Sequence, residues 1–222
     1  KETYQPVSNA EMLEWALSAS MDLAMSQGWL YGPTMRVTCV SEKGSAEPKK
    51  GDIVKVGMSL ENSVHGDCSA KISDYAFRLK CTNGLLARDH QHMERIRHVG
   101  DVHYNVQKAI VAAATRAVQL KPLMEHAANL YLDGDDIKKV REYVADSKNG
   151  GSSALDSKVV NNAMDEAQDE GRNEEEVTLW NFVNGVTMEA KGAKTIHRQG
   201  ELEALGYKTL ARYGVVLKSS LS

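Results

Sequence analysis

Partway along this chain the spacing of its apolar residues changes, and that change limits what it can fold into. Met35, Val37 and Cys39 alternate with other residues, as do Val54, Val56, Met58 and Leu60, which is the period of a pleated strand. From Asp101 onward Val102, Val106, Ile110, Ala113, Ala117 and Leu120 recur at helical intervals and mark a long amphipathic helix ending near Pro122. Strands that bury one face need a layer to bury it against, and the long helix follows directly. The expected class is therefore α+β: an antiparallel sheet of three or more strands packed on a long helix, then a helical C-terminal half.

The flanks add detail. Ser8 and Glu11 have capping-box spacing, and Met12, Ala16, Leu23 and Ala24 extend a first helix that should stop at Gly28. Val64 to Asp67 reads as a hairpin turn, with a return strand from about Ser69 to Cys81. Asn83-Gly84 supplies the positive φ of a further tight turn. Helices are expected near 123–131, 135–146, 157–170, 176–190 and 199–213. The chain reads as one α+β domain over 1–222, with a β-rich core at 29–121 and a helical part at 122–222 interrupted by a flexible connector at 147–157.

Composition narrows the function classes. With 222 residues, 42% apolar and 26% charged, the chain can bury a core and is not disordered overall. No apolar run is long enough to span a bilayer. Lys1 to Gln5 lacks the layout of a signal peptide, and the missing initiator Met suggests that residues precede Lys1. Cys39, Cys68 and Cys81 are an odd number for a disulfide framework, so the expected setting is cytoplasmic.

Net charge is only −3, but it is unevenly placed. Residues 78–124 hold 8 Lys/Arg against 3 Asp/Glu, whereas residues 125–190 hold 6 against 15. If the apolar strand faces, Tyr75 and Phe77 included, all pack on the long helix, then Arg36, Lys55, Arg78 and Lys80 share the uncovered face. Arg88, Arg95 and Arg97 follow in the segment leading to the helix. Such a row suits a phosphate backbone. A solvated sheet face that uses charge to guard its edges has the same pattern. The run Asp165 to Glu176 reads as a solvated helix surface or a face for a basic neighbour.

Catalytic motifs are not found. There is no phosphate-binding Gly-Lys-Ser/Thr loop, dinucleotide fingerprint or nucleophile elbow. His65, Cys68, His90 and His92 are the residues that could converge on a metal, though His90-x-His92 lacks the usual ligand spacing. Asp133-Gly134-Asp135-Asp136 lacks the continuation of a calcium loop and is better explained as helix capping. The expectation is a binding protein, not an enzyme, with no cofactor and no metal. Trp15, Trp29, Trp180, Tyr75 and Phe77 read as core.

Three stretches together resemble a known family: Tyr4-Gln5-Pro6-Val7-Ser8-Asn9, Arg78-Leu79-Lys80-Cys81-Thr82-Asn83-Gly84-Leu85 (with Ser69-Ala70 before it), and Trp180-Asn181-Phe182-Val183-Asn184-Gly185-Val186-Thr187. Their order resembles the phage/plasmid-like family catalogued as domain of unknown function 932. Gly185 stands where that family commonly has alanine. The resemblance implies a mobile-element setting and no catalytic residues; on a helix Trp180, Asn184 and Thr187 would form a packing and hydrogen-bonding anchor. A looser topological similarity is to Rad52-like single-strand annealing proteins. The resulting expectation is an oligomeric single-stranded DNA-binding and annealing protein, forming a ring or filament. The alternatives are an interaction protein acting on a host protein through its acidic helices, or a metal-dependent enzyme.

Overall fold

The computed structural model describes residues 4–19, 22–87, 92–146, 157–171 and 177–216. It is α+β, with an antiparallel sheet in the N-terminal half and helices in the C-terminal half. By its contacts the chain divides into two compact units: residues 1–45, 54–77 and 87–120, and residues 46–53, 78–86 and 121–222.

The first unit begins with helix α1, Asn9–Ala19. Its capping box forms as the spacing predicts: the Glu11 amide donates to Ser8 Oγ at 3.1 Å, and the Ser8 amide to Glu11 Oε2 at 3.0 Å. The helix does not continue to Gly28. Leu23–Tyr31 is instead strand β1, paired antiparallel with β2, Thr34–Ala46, from Leu23↔Ser41 to Tyr31↔Thr34. Two residues, Gly32 at φ +56° and Pro33, close this hairpin. The ladder and its tight turn outweigh the helical spacing of Leu23 and Ala24, since strand formation depends on the neighbour that is paired.

Strands β3, Val54–Ser63, and β4, Ala70–Arg78, continue the sheet, and β6, Met93–Ile96, pairs antiparallel with Ala70–Ser73 of β4. Helix α2, Val102–Arg116, starts at Asp101, whose side chain accepts the Tyr104 amide at 3.3 Å. Met35, Val37 and Cys39 of β2, Met58 and Leu60 of β3, and Ala70 and Ile72 of β4 form a core with Met12 and Ala16 of α1 and Val102, Val106 and Ile110 of α2. Because the β4 core residues are Ala70 and Ile72, the pleat places Tyr75 and Phe77 on the opposite face, not against the helices. They are buried nonetheless, with ring centroids 6.5 Å apart.

The family's first motif stitches the N-terminus onto this unit. Tyr4 donates its hydroxyl to the Val64 carbonyl at 2.7 Å, and its ring lies where a Cβ on Gly66 would stand. Gly66 also has φ +78°, so both close approach and backbone demand glycine. Asn62 Nδ2, buried, donates to the Val7 carbonyl and to Asn9 Oδ1, each at 2.9 Å.

The second unit holds strand β5, Asn83–Leu86, and helices α3, Leu120–Ala128 (from Lys121 on), α4, Gly134–Ala145, α5, Ser157–Gly171, α6, Leu179–Glu189, and α7, Ile196–Val216. Asn83-Gly84 therefore opens a strand; the residue with positive φ is Thr82, at +51°. The return strand likewise stops at Arg78, short of Cys81. The long helix ends at Arg116, a 3-10 turn covers Ala117–Gln119, and Pro122 falls in the first turn of α3, where its missing N–H costs nothing. Asp133 caps α4, accepting the Asp136 amide at 2.8 Å. Helix α6 is buried from Leu179 through Thr187, polar Asn181, Asn184 and Thr187 included, so it lies inside this unit. The expected connector 147–157 lies, apart from Ser157, outside the described residues.

Candidate nucleic-acid interface

The arginines expected on an uncovered sheet face are placed differently. Arg36 on β2 is 2% exposed; its guanidinium sits 5.4 Å from the Trp29 ring centre, and its Nε donates to Ser59 Oγ at 3.4 Å. Thr38, Ser59, Ser73 and Tyr75 on the same face are buried as well. That face is therefore not bare, and Arg36 is part of its packing. Arg78 is 4% exposed and belongs to the second unit. Its Nε donates to Asp52 Oδ1 at 2.6 Å, its second nitrogen reaches Cys81 Sγ at 3.4 Å, and Trp180 Nε1 donates to the other Asp52 oxygen at 2.8 Å. A guanidinium held this way is committed to a buried, charge-assisted network.

Of the remaining residues, Lys55 on β3 is half-buried and Lys80 is exposed in the turn after β4. Arg88 lies outside the described residues, as does His90. Arg95 on β6 and Arg97 just beyond it are both exposed.

Arg95 and Arg97 share a feature the sequence reading missed. Between β6 and α2 runs a cleft of about 420 Å³, lined by Arg95 and Arg97 on one side and Asn105 and Lys108 on the other, with Ala109 and Ala112 on the helical wall and Glu94 among its lining residues. Asn105, Lys108, Ala109 and Ala112 follow the i, i+3, i+4, i+7 spacing of one helix face. Small Ala side chains there leave the hollow open. Tyr104, 59% exposed, stands one turn before Lys108. The signal was present in the sequence: Lys108 lies beside, not within, the Val102-Val106-Ile110 core stripe.

Beside the cleft the acidic groups are occupied. Asp74 is fully buried and receives two bonds from Arg116, Nε at 3.3 Å and a terminal nitrogen at 3.2 Å, and pairs with His92 Nδ1 at 2.7 Å. Burial pushes the Asp74 carboxyl above its ordinary range, against the pull of the His92 and Arg116 hydrogen bonds. Arg116 also reaches Glu94 at 3.6 Å, and Glu94 is the one carboxylate that lines the cleft, against three cations. The field in the hollow is therefore positive, set by Arg95, Arg97 and Lys108.

Of the four residues named as possible metal ligands, His90 lies outside the described residues. His92 turns to Asp74, and among the described residues no group of three His, Cys, Asp or Glu side chains is arranged to hold a metal ion. Among the same residues no helix is long and apolar enough to cross a membrane.

The other two family stretches meet inside the second unit. Besides Trp180 on Asp52, Asn83 Nδ2 donates to Thr187 Oγ1 at 2.5 Å, and Lys49 Nζ donates to Asn181 Oδ1 at 2.6 Å. Asn181 in turn closes a capping box with Thr178. Trp180, Asn184 and Thr187 are buried, as expected of an anchor. No curated protein and no solved structure matches the chain, so the similarity to Rad52-like proteins has no structural counterpart. A family model does match, over residues 1–205, and the chain belongs to the family described as a domain of unknown function, DUF932.

Proposed function

We propose that this chain binds single-stranded nucleic acid through the cleft between β6 and α2, as a non-catalytic annealing protein of a phage or plasmid. The observation that carries the reading is the convergence of three exposed cations, Arg95, Arg97 and Lys108, on one hollow lined by a single carboxylate, Glu94. Phosphates are attracted by such a cluster whatever the base sequence, and Tyr104 offers an exposed ring on which a base can stack. Annealing needs no covalent step: a strand held by its backbone leaves its bases free to pair. Lys55 is a secondary contact in this reading; Lys80 belongs to the second unit and is left out of it, and Arg36 and Arg78 serve the fold.

The test is anisotropy of a labelled oligonucleotide across a salt series. Three phosphate contacts predict that replacing Arg95, Arg97 and Lys108 together by alanine flattens the log-affinity against log-salt slope by about 2. Binding should weaken for every base sequence alike. Unchanged affinity and slope in the triple variant would end the proposal.

A further inference from the structure

The hollow between β6 and α2 is shut at both ends, and everything that shuts it lies in the first unit. At one end Arg116, one turn of α2 beyond Ala112, reaches back to Glu94 at 3.6 Å, so an ion pair crosses from helix to strand. Two bonds to buried Asp74 hold the same guanidinium. At the other end the chain itself closes the gap. Residues 97–101 carry β6 into α2 through a short connection, in which the Val99 amide donates to the Arg97 carbonyl at 2.8 Å and the Val102 amide to the Gly100 carbonyl at 2.9 Å. Tyr4 bridges to Val99, and the Gln5 amide donates to the His98 carbonyl at 2.9 Å, so the N-terminal segment pins that connection.

A strand laid along this hollow from end to end would have to pass the Arg116–Glu94 pair on one side and the backbone of 97–101 on the other. The volume, about 420 Å³, is that of a small-ligand pocket, not of a through-channel. Arg95 and Arg97 face Lys108 across it, and among the described residues none of the three has an ion-pair partner. Three uncommitted cations about one closed hollow favour a ligand that delivers its charge at one point. A phosphodiester inside a strand carries a single negative charge, whereas a phosphate monoester carries about 1.5 to 2 at neutral pH and offers three acceptor oxygens. Asn105, on the same wall as Lys108, adds a neutral amide donor for those oxygens. We propose that the hollow takes the end of a strand, through a terminal phosphate monoester, and not its middle. This rests on the nucleic-acid reading above and narrows its substrate.

Anisotropy on the full chain tests this with three internally labelled oligonucleotides of one sequence: phosphorylated at both ends, hydroxyl-ended, and closed into a circle. The phosphorylated strand should bind about fivefold or more tighter than the other two, as one further charge beside the cations requires. Lys108→Ala, at an exposed position, should narrow that ratio to about twofold or less with far-UV circular dichroism unchanged. Free adenosine monophosphate, equimolar with the phosphorylated strand, should leave the strand bound. Equal binding of all three oligonucleotides, a ratio unmoved by Lys108→Ala, or full displacement by the free nucleotide would each overturn the assignment to a strand end. Equally tight binding of the three leaves the nucleic-acid reading standing, whereas binding of none removes both.

Discussion

Arg78 and Lys80 stand two residues apart in opposite surroundings, one inside an ion pair and the other in solvent. Removing one partner of a buried pair strands the other charge, so Arg78→Ala should lose about 3–5 kcal/mol in chemical denaturation. Lys80→Ala should leave stability unchanged in the same measurement. The alternation of residues identifies the two faces of a strand, but not whether the second face is covered; that is why Arg36 and Arg78 resemble surface charges in sequence. Tyr75 and Phe77 illustrate the same ambiguity, since both are core yet lie on the face away from α2. Cys39 gives a second check. Burial pushes its thiol up to about 11, so at pH 8 only about 0.1% is thiolate. A disulfide reagent should label the half-buried Cys68 and Cys81 in the folded protein, and Cys39 only after it unfolds.

At the scale of elements, glycine has opposite roles in two helices. A Cβ on Gly185 in α6 would run into the Ala163 carbonyl oxygen of α5. Alanine would add about 1 kcal/mol of helix preference, but a backbone collision between packed helices costs about 1–3 kcal/mol or more and should prevail. Gly185→Ala should therefore lower the melting temperature. Gly134, at the start of α4, has nothing within 4 Å of such a Cβ, and Gly134→Ala should be neutral or stabilising by up to about 1 kcal/mol. The helices of the C-terminal half were largely readable because their apolar stripes are long and a cap is explicit at Asp133. Strand β1 was not, because Leu23 and Ala24 satisfy a helical spacing and only pairing with β2 decides the matter. The basic cleft was half readable: Arg95 and Arg97 stood out by charge, whereas Lys108 joins them only once β6 lies along α2.

At the scale of the molecule, neither unit is a continuous stretch of chain. The second takes residues 46–53 and 78–86 from within the β-rich region, and these supply Asp52, Arg78 and Asn83 to the helices. A fragment holding only 121–222 would retain Trp180 and Thr187 without those partners. We expect it to keep helical far-UV circular dichroism but lose the near-UV signal of a fixed Trp180. A fragment with a sharp near-UV spectrum and a cooperative melt would contradict this.

The bond from Trp180 to Asp52 spans 128 residues of sequence. A ribosome adding about 5–20 residues per second needs roughly 6–25 s to travel from one to the other. Through that interval Asp52 can pair with Arg78 but not with the indole that donates to its other oxygen, which has not been made. Completion of the helical unit thus waits until Trp180 has been made, and a message truncated before it would release a chain whose Asp52 never meets its indole.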